Sequence, residues 1–350
     1  MGLVKLGDIA RECRSTFAGD KAGIPIVGLE HLTPSDIELH SWDVDTDNTF
    51  SKSFKKGQVL LGRRRVYLKK AAVAPFDGIC SGDITVIEAI PGKLLPGLLP
   101  FIIQNERFFD FAIIGSAGSL SPRVKWEYLK EYEIDLPDVD QQSKLVDLLT
   151  AANDLKHSYQ EMVRTIDEMV KSQFIEQFGT PDNDYNGYSV VPFLEKCYDD
   201  TKSATKIPAD DYKESGTYAI FDQSTQNYIA GYNNSEQGVN MDYPAILFGD
   251  HSRVFKFIKQ PFYIGADGVK IIRVKTKEEL EFIFYELLFS HIPDTGYNRH
   301  FKWVKELSLR NVEPEEQQLF LRLAQQADKS KFELKQAIEK IDKVMRALMQ

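Results

Sequence analysis

Residue types able to do chemistry are present in this chain, but their spacing is poor. The six histidines (His31, His40, His157, His251, His291 and His300) are scattered without metal-ligand spacing. There is no P-loop signature, no dinucleotide fingerprint, no HExxH and no GxSxG. His251 beside Asp250 and His300 beside Arg299 come nearest to catalytic pairs, yet single loop histidines are more often surface or contact residues. The Asn/Asp-Pro-Pro-aromatic tetrad that holds an exocyclic amine is also missing; Ala74-Pro75-Phe76 is the closest approach. The expectation is a non-catalytic chain, with no metal and no cofactor of its own.

Positive charge is better organised. Residues 60–73 read LLGRRRVYLKKAAV, and five of the eight positions from Arg63 to Lys70 are basic, in a chain of formal net charge -9. The surrounding apolar residues read as a strand, on which alternate side chains share a face. Arg63, Arg65, Tyr67 and Lys69 would then line one side, a composition suited to nucleic acid, and Arg64 joins them as a candidate contact. An edge strand guarded against aggregation has the same composition. Two polar loops add candidates. GSAGSLSPRVKW (115–126) offers Arg123 and Lys125, and DTGYNRHFKW (294–303) offers Asn298, Arg299, His300 and Lys302. Arg pairs bidentately with guanine and Asn with adenine. His251, Arg253 and Lys256 occupy the corresponding stretch of the second half and complete the set.

The elements that must position these groups are written twice. VKWEYLKEYEIDLPDVDQQSKLVDL (124–148) and KWVKELSLRNVEPEEQQLFLRL (302–323) share a Lys-Trp pair, a short apolar strand, a proline, acidic residues, Gln-Gln and a leucine-rich helix. Upstream, residues 59–87 match 245–274, with Gly62 facing Gly249, Pro75 facing Pro261 and Gly82 facing Gly268. A shorter helix follows in each half, over 98–113 and 277–291.

Two longer helices carry heptad seams. The first runs through Leu145, Leu148, Ala152, Leu155, Tyr159, Met162, Ile166 and Met169. The second runs through Phe320, Ala324, Ala327, Lys331, Leu334, Ile338, Ile341, Met345 and Leu348. Each spans ~35 residues, about 55 Å at 1.5 Å per residue. Residues 139–186 carry four Lys/Arg against nine Asp/Glu, and 314–350 carry seven against six. Opposed charge and matching seams predict an antiparallel coiled coil, with Gln173 and Lys331 helping to set its register. The chain therefore divides into a mixed α/β domain (1–138), a long helix (139–180), a second domain (181–313) and a second long helix (314–350).

Size and composition bound the rest. A chain of 350 residues, 43% hydrophobic and 27% charged, suits two globular domains rather than disorder. No apolar run approaches the ~20 residues that span a bilayer, and MGLVKLGDIAREC lacks a signal-peptide core, so a cytoplasmic protein is expected. Cys13, Cys80 and Cys197 form no CxxC pair and read as reduced structural residues.

On these duplicated segments and polar loops, the whole chain resembles the specificity subunit of Type I restriction-modification enzymes. The resemblance implies two target-recognition domains, each reading one half of a bipartite sequence in double-stranded DNA. It implies that the helices set the half-site spacing and dock two methyltransferase subunits that use S-adenosylmethionine. A motor-nuclease restriction subunit using ATP and Mg would complete the assembly. Two other classes stay open: a coiled-coil scaffold that binds no DNA, and a specificity subunit of a related system outside Type I.

Overall fold

The computed structural model describes residues 2–180, 185–225, 227–266, 268–296 and 298–349; Pro181, where the second domain is expected to begin, and Tyr297 of the expected polar loop lie outside them. It divides into two compact units, Met1–Gln160 with Lys335–Gln350, and Glu161–Leu334. The boundary cuts both long helices, so each unit holds one α/β half with a segment of either helix, rather than helices standing as separate parts.

In the first unit the chain opens with β1 (Gly2–Lys5), α1 (Leu6–Ile9) and β2 (Ala10–Cys13). Then come β3 (Pro25–Val27), β4 (Asp43–Val44), β5 (Lys52–Phe54), β6 (Val59–Gly62), β7 (Ala71–Val73), β8 (Gly78–Cys80) and β9 (Ile84–Ala89). They form two sheets, in the orders β2-β9-β6-β7 and β4-β3-β8-β5. The run VLLG of β6 is buried throughout because both of its faces are covered. Val59 and Leu61 join one core with Ile102, Phe108 and Phe109, whereas Leu60 joins another with Val27 and Cys80. The expected helix at 98–113 is broken into α2 (Leu99–Ile103) and α3 (Glu106–Ile114), because the Asn105 side chain accepts the Arg107 N–H and starts a new helix. After α4 (Trp126–Leu129), β10 (Glu133–Leu136) pairs antiparallel with β1 and ties the start of the half to its end.

The second unit repeats this plan except at one sheet edge, where the outer strand comes earlier in the chain and pairs parallel instead of antiparallel. Its elements are β11 (Val190–Pro192), α6 (Phe193–Lys196), β12 (Cys197–Asp199), β13 (Lys206–Ile207), β14 (Tyr218–Phe221) and β15 (Gly231–Asn233). They continue with β16 (Ala245–Gly249), β17 (Phe255–Ile258), β18 (Phe262–Gly265), β19 (Val269–Val274), α7 (Leu280–Phe289), α8 (Phe301–Lys305) and β20 (Ser308–Arg310). The sheets run β12-β19-β16-β17 and β13-β18-β14-β15, and β11 pairs with β20. Alternate residues of β16 again feed two cores: Ile246 and Phe248 pack with α7, while Ala245 and Leu247 pack with Phe221 and Phe262.

The long helices are α5 (Val139–Phe178) and α9 (Pro314–Leu348). Asp138 accepts the Gln141 N–H at 2.9 Å and caps α5. Buried Gln142 reaches back to the Pro137 carbonyl at 3.0 Å, and buried Gln317 reaches back to that of Val312 at 2.8 Å. These two glutamines are structural equivalents, so the repeat is in register one residue away from a match of Gln-Gln on Gln-Gln.

Within each unit the two helix segments run antiparallel. In the first, Leu149 packs in one core with Met345 and Leu348, and Lys156 Nζ meets Asp342 Oδ1 at 2.8 Å. In the second, Lys331 Nζ meets Asp167 Oδ1 at 2.7 Å, and the Phe174 and Phe320 rings lie 5.3 Å apart. On α9, Leu334, Ile338, Ile341, Met345 and Leu348 are half-buried. On α5 the inward rows are Leu145, Ala152, Tyr159 and Ile166 with Leu149, Val163 and Val170. The expected Leu148, Leu155, Met162 and Met169 are instead 44–50% exposed. Two rows flank the Leu145 row, one apolar from Leu148 to Met169 and one from Leu149 to Val170 broken by Lys156; packing buries the second, with Lys156 paired to Asp342.

Candidate nucleic-acid interface

Arg63 to Lys70 is a hairpin loop, not a strand. β6 ends at Gly62, whose N–H donates to the Lys70 carbonyl at 2.9 Å and closes the loop that leads into β7. Between them Val66–Leu68 forms a 3₁₀ turn flanked by Arg65 and Lys69, both left-handed at φ 53° and 52°. Burial of Val66 in the core pulls the middle of the loop inward and breaks the alternation that a strand needs. Arg63, Arg65, Tyr67 and Lys69 therefore do not share one strand face.

A second loop and a turn clasp this hairpin. The Arg63 N–H donates to the Asp83 carbonyl at 2.9 Å, and its own carbonyl accepts the Val124 N–H at 3.0 Å. The Arg65 N–H donates to the Pro122 carbonyl at 2.7 Å. Asp83 sits at the centre of the charge: Arg123 donates to both of its carboxylate oxygens, at 2.7 and 3.1 Å, and Arg64 approaches at 3.6 Å. The hydrogen-bonded Arg123 guanidinium holds the Asp83 carboxyl below the usual carboxylate range against the opposing effect of burial, and Arg64 and Arg63 add to it. Arg64 also donates to Ser121 Oγ at 3.1 Å. Lys69 is spent on Glu106 of α3, while Tyr67, Arg65 and Lys125 are exposed. Among the described residues, the side chains of Arg63, Arg65 and Lys125 make no hydrogen bond or ion pair. Sequence reasoning missed Asp83, whose only signal was the turn glycine Gly82.

The equivalent place in the second unit has the same framework and different side chains. The Gly249 N–H donates to the Val254 carbonyl at 2.8 Å and closes the β16–β17 hairpin. A side chain at Gly249 would strike Ser252 Oγ at 2.2 Å and Gln223 Cβ at 2.9 Å, so the close approach of the chain that follows β14 requires glycine. Asp250, which follows it as Arg63 follows Gly62, donates its N–H to the Gly268 carbonyl at 2.6 Å and accepts the His300 N–H at 2.9 Å. Its carboxylate also accepts the Phe301 N–H at 2.7 Å.

Several expected contact residues serve this framework instead. His300 is fully buried, with Nδ1 at 2.9 Å from the Asp250 carbonyl. Lys256 is 4% exposed because its Nζ donates to the Asn227 and Tyr228 carbonyls at 3.1 Å, and burial lowers its pKa. Neither can face a ligand. Left-handed Arg253 pairs with Asp294 at 2.7 Å, and His251 Nδ1 lies 3.1 Å from the Asn298 carbonyl. Asn298, Arg299 and Lys302 are exposed, and Lys302 lies 4.7 Å from the centre of the Trp303 ring.

Two α/β halves that share one all-antiparallel sheet and differ at one edge of the other, each with a hairpin, turn and loop clasped at the same place and with antiparallel long-helix segments, define a duplicated mixed α/β protein. Its particular likeness is to the specificity subunits of Type I restriction-modification systems. The chain aligns over its full length, and over 96% of the other, with the S subunit of the Type I system from M. genitalium, at 12% identity and a TM-score of 0.55. It matches over 99% of its length, and 96% of the other, a chain solved in work on complex assembly and conformational transition of the type I R-M system, at 18% identity and a TM-score of 0.52. In sequence, 126 residues are 27% identical to the Type I restriction enzyme EcoDI specificity subunit of Escherichia coli. That match covers 33% of this chain and 27% of that protein, about a quarter of its length. No family model matches the chain. Among the described residues, no helix is long and apolar enough to cross a membrane.

Proposed function

We propose that this chain is the specificity subunit of a Type I restriction-modification complex and reads a bipartite target in double-stranded DNA. The observation that carries the reading is the clasped hairpin, turn and loop found at the same place in both halves. One protein with two such surfaces addresses two half-sites in one orientation. In the first half Arg63, Arg65, Arg123 and Lys125 supply phosphate and base contacts; in the second Asn298, Arg299 and Lys302 do so, with His251 and Arg253 beside them. The different side chains on a common frame suit two different half-sites. The exposed row Leu148, Leu155, Met162 and Met169 is the face offered to two methyltransferase subunits, and the helices set the half-site spacing. Catalysis belongs to the partners: S-adenosylmethionine on the methyltransferases, ATP with Mg on a motor-nuclease subunit where one is present. The assembly works in the cytoplasm.

The test is adenine methylation across the host genome with the gene intact and deleted. A split motif that loses its methylation on deletion, and changes in one half only when residues 1–138 are exchanged, supports the reading; an unchanged methylome defeats it. In the assembled complex, joint Arg63→Ala and Arg65→Ala should lower the slope of log affinity against log salt by roughly two units, at about 0.9 per phosphate contact. An unchanged slope removes the hairpin from the interface.

A further inference from the structure

In the first unit two elements bring together side chains that linear spacing keeps apart. Ser35 lies against the end of the basic hairpin, its N–H donating to the Lys69 carbonyl at 3.1 Å, and Val73 of β7 donates to the Ile37 carbonyl at 2.8 Å. The segment held this way turns at Ser35 and bends at Ile37, and it brings Asp36, Glu38 and His40 to the side that meets α5. Facing them on α5 are Asn153 and His157, one helical turn apart and so on one stripe.

Their polar atoms converge. His40 Nε2 is 3.1 Å from Asp36 Oδ2, and His157 Nε2 is 3.6 Å from Asp36 Oδ1 and 3.5 Å from Glu38 Oε1. One ligand atom from each of Asp36, His40 and His157 lies within 4.8 Å of the others. Asn153 Nδ2 donates to Glu38 Oε1 at 3.2 Å and orients that carboxylate. A tetrahedral ion with bonds of about 2.0–2.1 Å sets its ligand atoms roughly 3.4 Å apart; the histidines approach opposite oxygens of Asp36, so small side-chain rotations would close the three ligand atoms from within 4.8 Å onto one ion.

We propose that Asp36, His40 and His157 form a binding site for a divalent transition-metal ion of the zinc class, with the fourth position left to solvent. Two imidazoles with a carboxylate select such an ion over calcium or magnesium, which prefer all-oxygen shells. The bound ion staples the segment beside the basic hairpin to α5 within this unit. Its role is structural, and it is independent of any reaction carried out by partner subunits.

The experiment uses the tag-free full-length chain, stripped with chelator and titrated with Zn(II) by calorimetry and with Co(II) by visible absorption. About one equivalent should bind, the cobalt form should show the intense d–d bands of a four-coordinate site, and Zn(II) should raise the unfolding temperature. His157→Gln and Asp36→Asn should each weaken binding at least tenfold and abolish the thermal shift, while His291→Gln leaves both unchanged. His40→Gln changes a half-exposed ligand outside the core, so it gives the same readout if either of the other variants fails to fold. Absence of saturable binding overturns the proposal and leaves the cluster as ion pairs alone. Binding that survives His40→Gln or His157→Gln at full affinity also overturns it.

Discussion

Replacing Arg310 should destabilise the second unit more than any change at the proposed DNA surface. Arg310 is fully buried, and its guanidinium makes three bonds: Nε to the Phe178 carbonyl at 2.7 Å, Nη2 to that of Gly179 at 3.0 Å, and Nη1 to Glu286 Oε1 at 2.8 Å. It thereby satisfies two carbonyls at the end of α5 and the buried Glu286 carboxylate, while lying 4.9 Å from the Tyr185 ring centre. Burial pushes the Glu286 carboxyl up, and the Arg310 N–H and guanidinium draw it back. Arg310→Met keeps the backbone N–H but leaves that buried carboxylate without its guanidinium partner, a loss of about 3–5 kcal/mol. At about 2–4 °C per kcal/mol for a unit of this size, the unfolding temperature should fall by roughly 6–20 °C.

The pH dependence follows from the sign of the shift. In the variant, the folded pKa of Glu286 lies further above its unfolded value, so the penalty is full above the folded pKa. It fades as pH falls and vanishes below the unfolded value of about 4.3. The gap from wild type, followed by scanning calorimetry, should therefore narrow from pH 8 to pH 5, and adding Glu286→Gln should remove that dependence. Arg310→Lys should not rescue, because one ammonium cannot replace a planar fork with three acceptors. A fall below about 3 °C, or a gap of equal size at pH 5 and pH 8, would refute the reasoning.

The duplicated glutamines offer a paired check: Gln142→Ala and Gln317→Ala each leave a carbonyl without its partner and should cost about 1–3 kcal/mol in urea unfolding. A neutral result at either position would show that its reach back to Pro137 or Val312 is incidental. Leu148→Asp with Met162→Asp should leave chain stability within about 0.5 kcal/mol, as exposed positions do, yet abolish co-purification with methyltransferase subunits. Full retention of the partners would move docking to another face.

Periodicity and repetition are local properties, and they were legible without coordinates. The mixed α/β duplication, two long helices after Pro137 and before the chain's end, and the α9 row from Phe320 to Leu348 all follow from spacing along one element. The matching glycines Gly62 and Gly249 also marked where both halves turn. What sequence could not supply depends on which face meets what. Arg63–Lys70 became a hairpin because Val66 is buried and Gly62 bonds Lys70, a choice made by the core rather than by the basic residues. Lys256 and His300 look like contact residues in sequence, yet backbone carbonyls inside the second half claim them. On α5 the Leu148 row is apolar throughout and the Leu149 row is broken by Lys156, yet packing buried Leu149 and left Leu148 outside. Asp36 and His40 meet His157 across more than a hundred residues, because hydrogen bonds to Lys69 and Val73 hold the segment opposite one turn of a helix. Sequence determined the elements and their duplication, since those arise from near neighbours. Tertiary structure alone decided which charges stay free, because burial and long-range pairing are properties of the assembled chain.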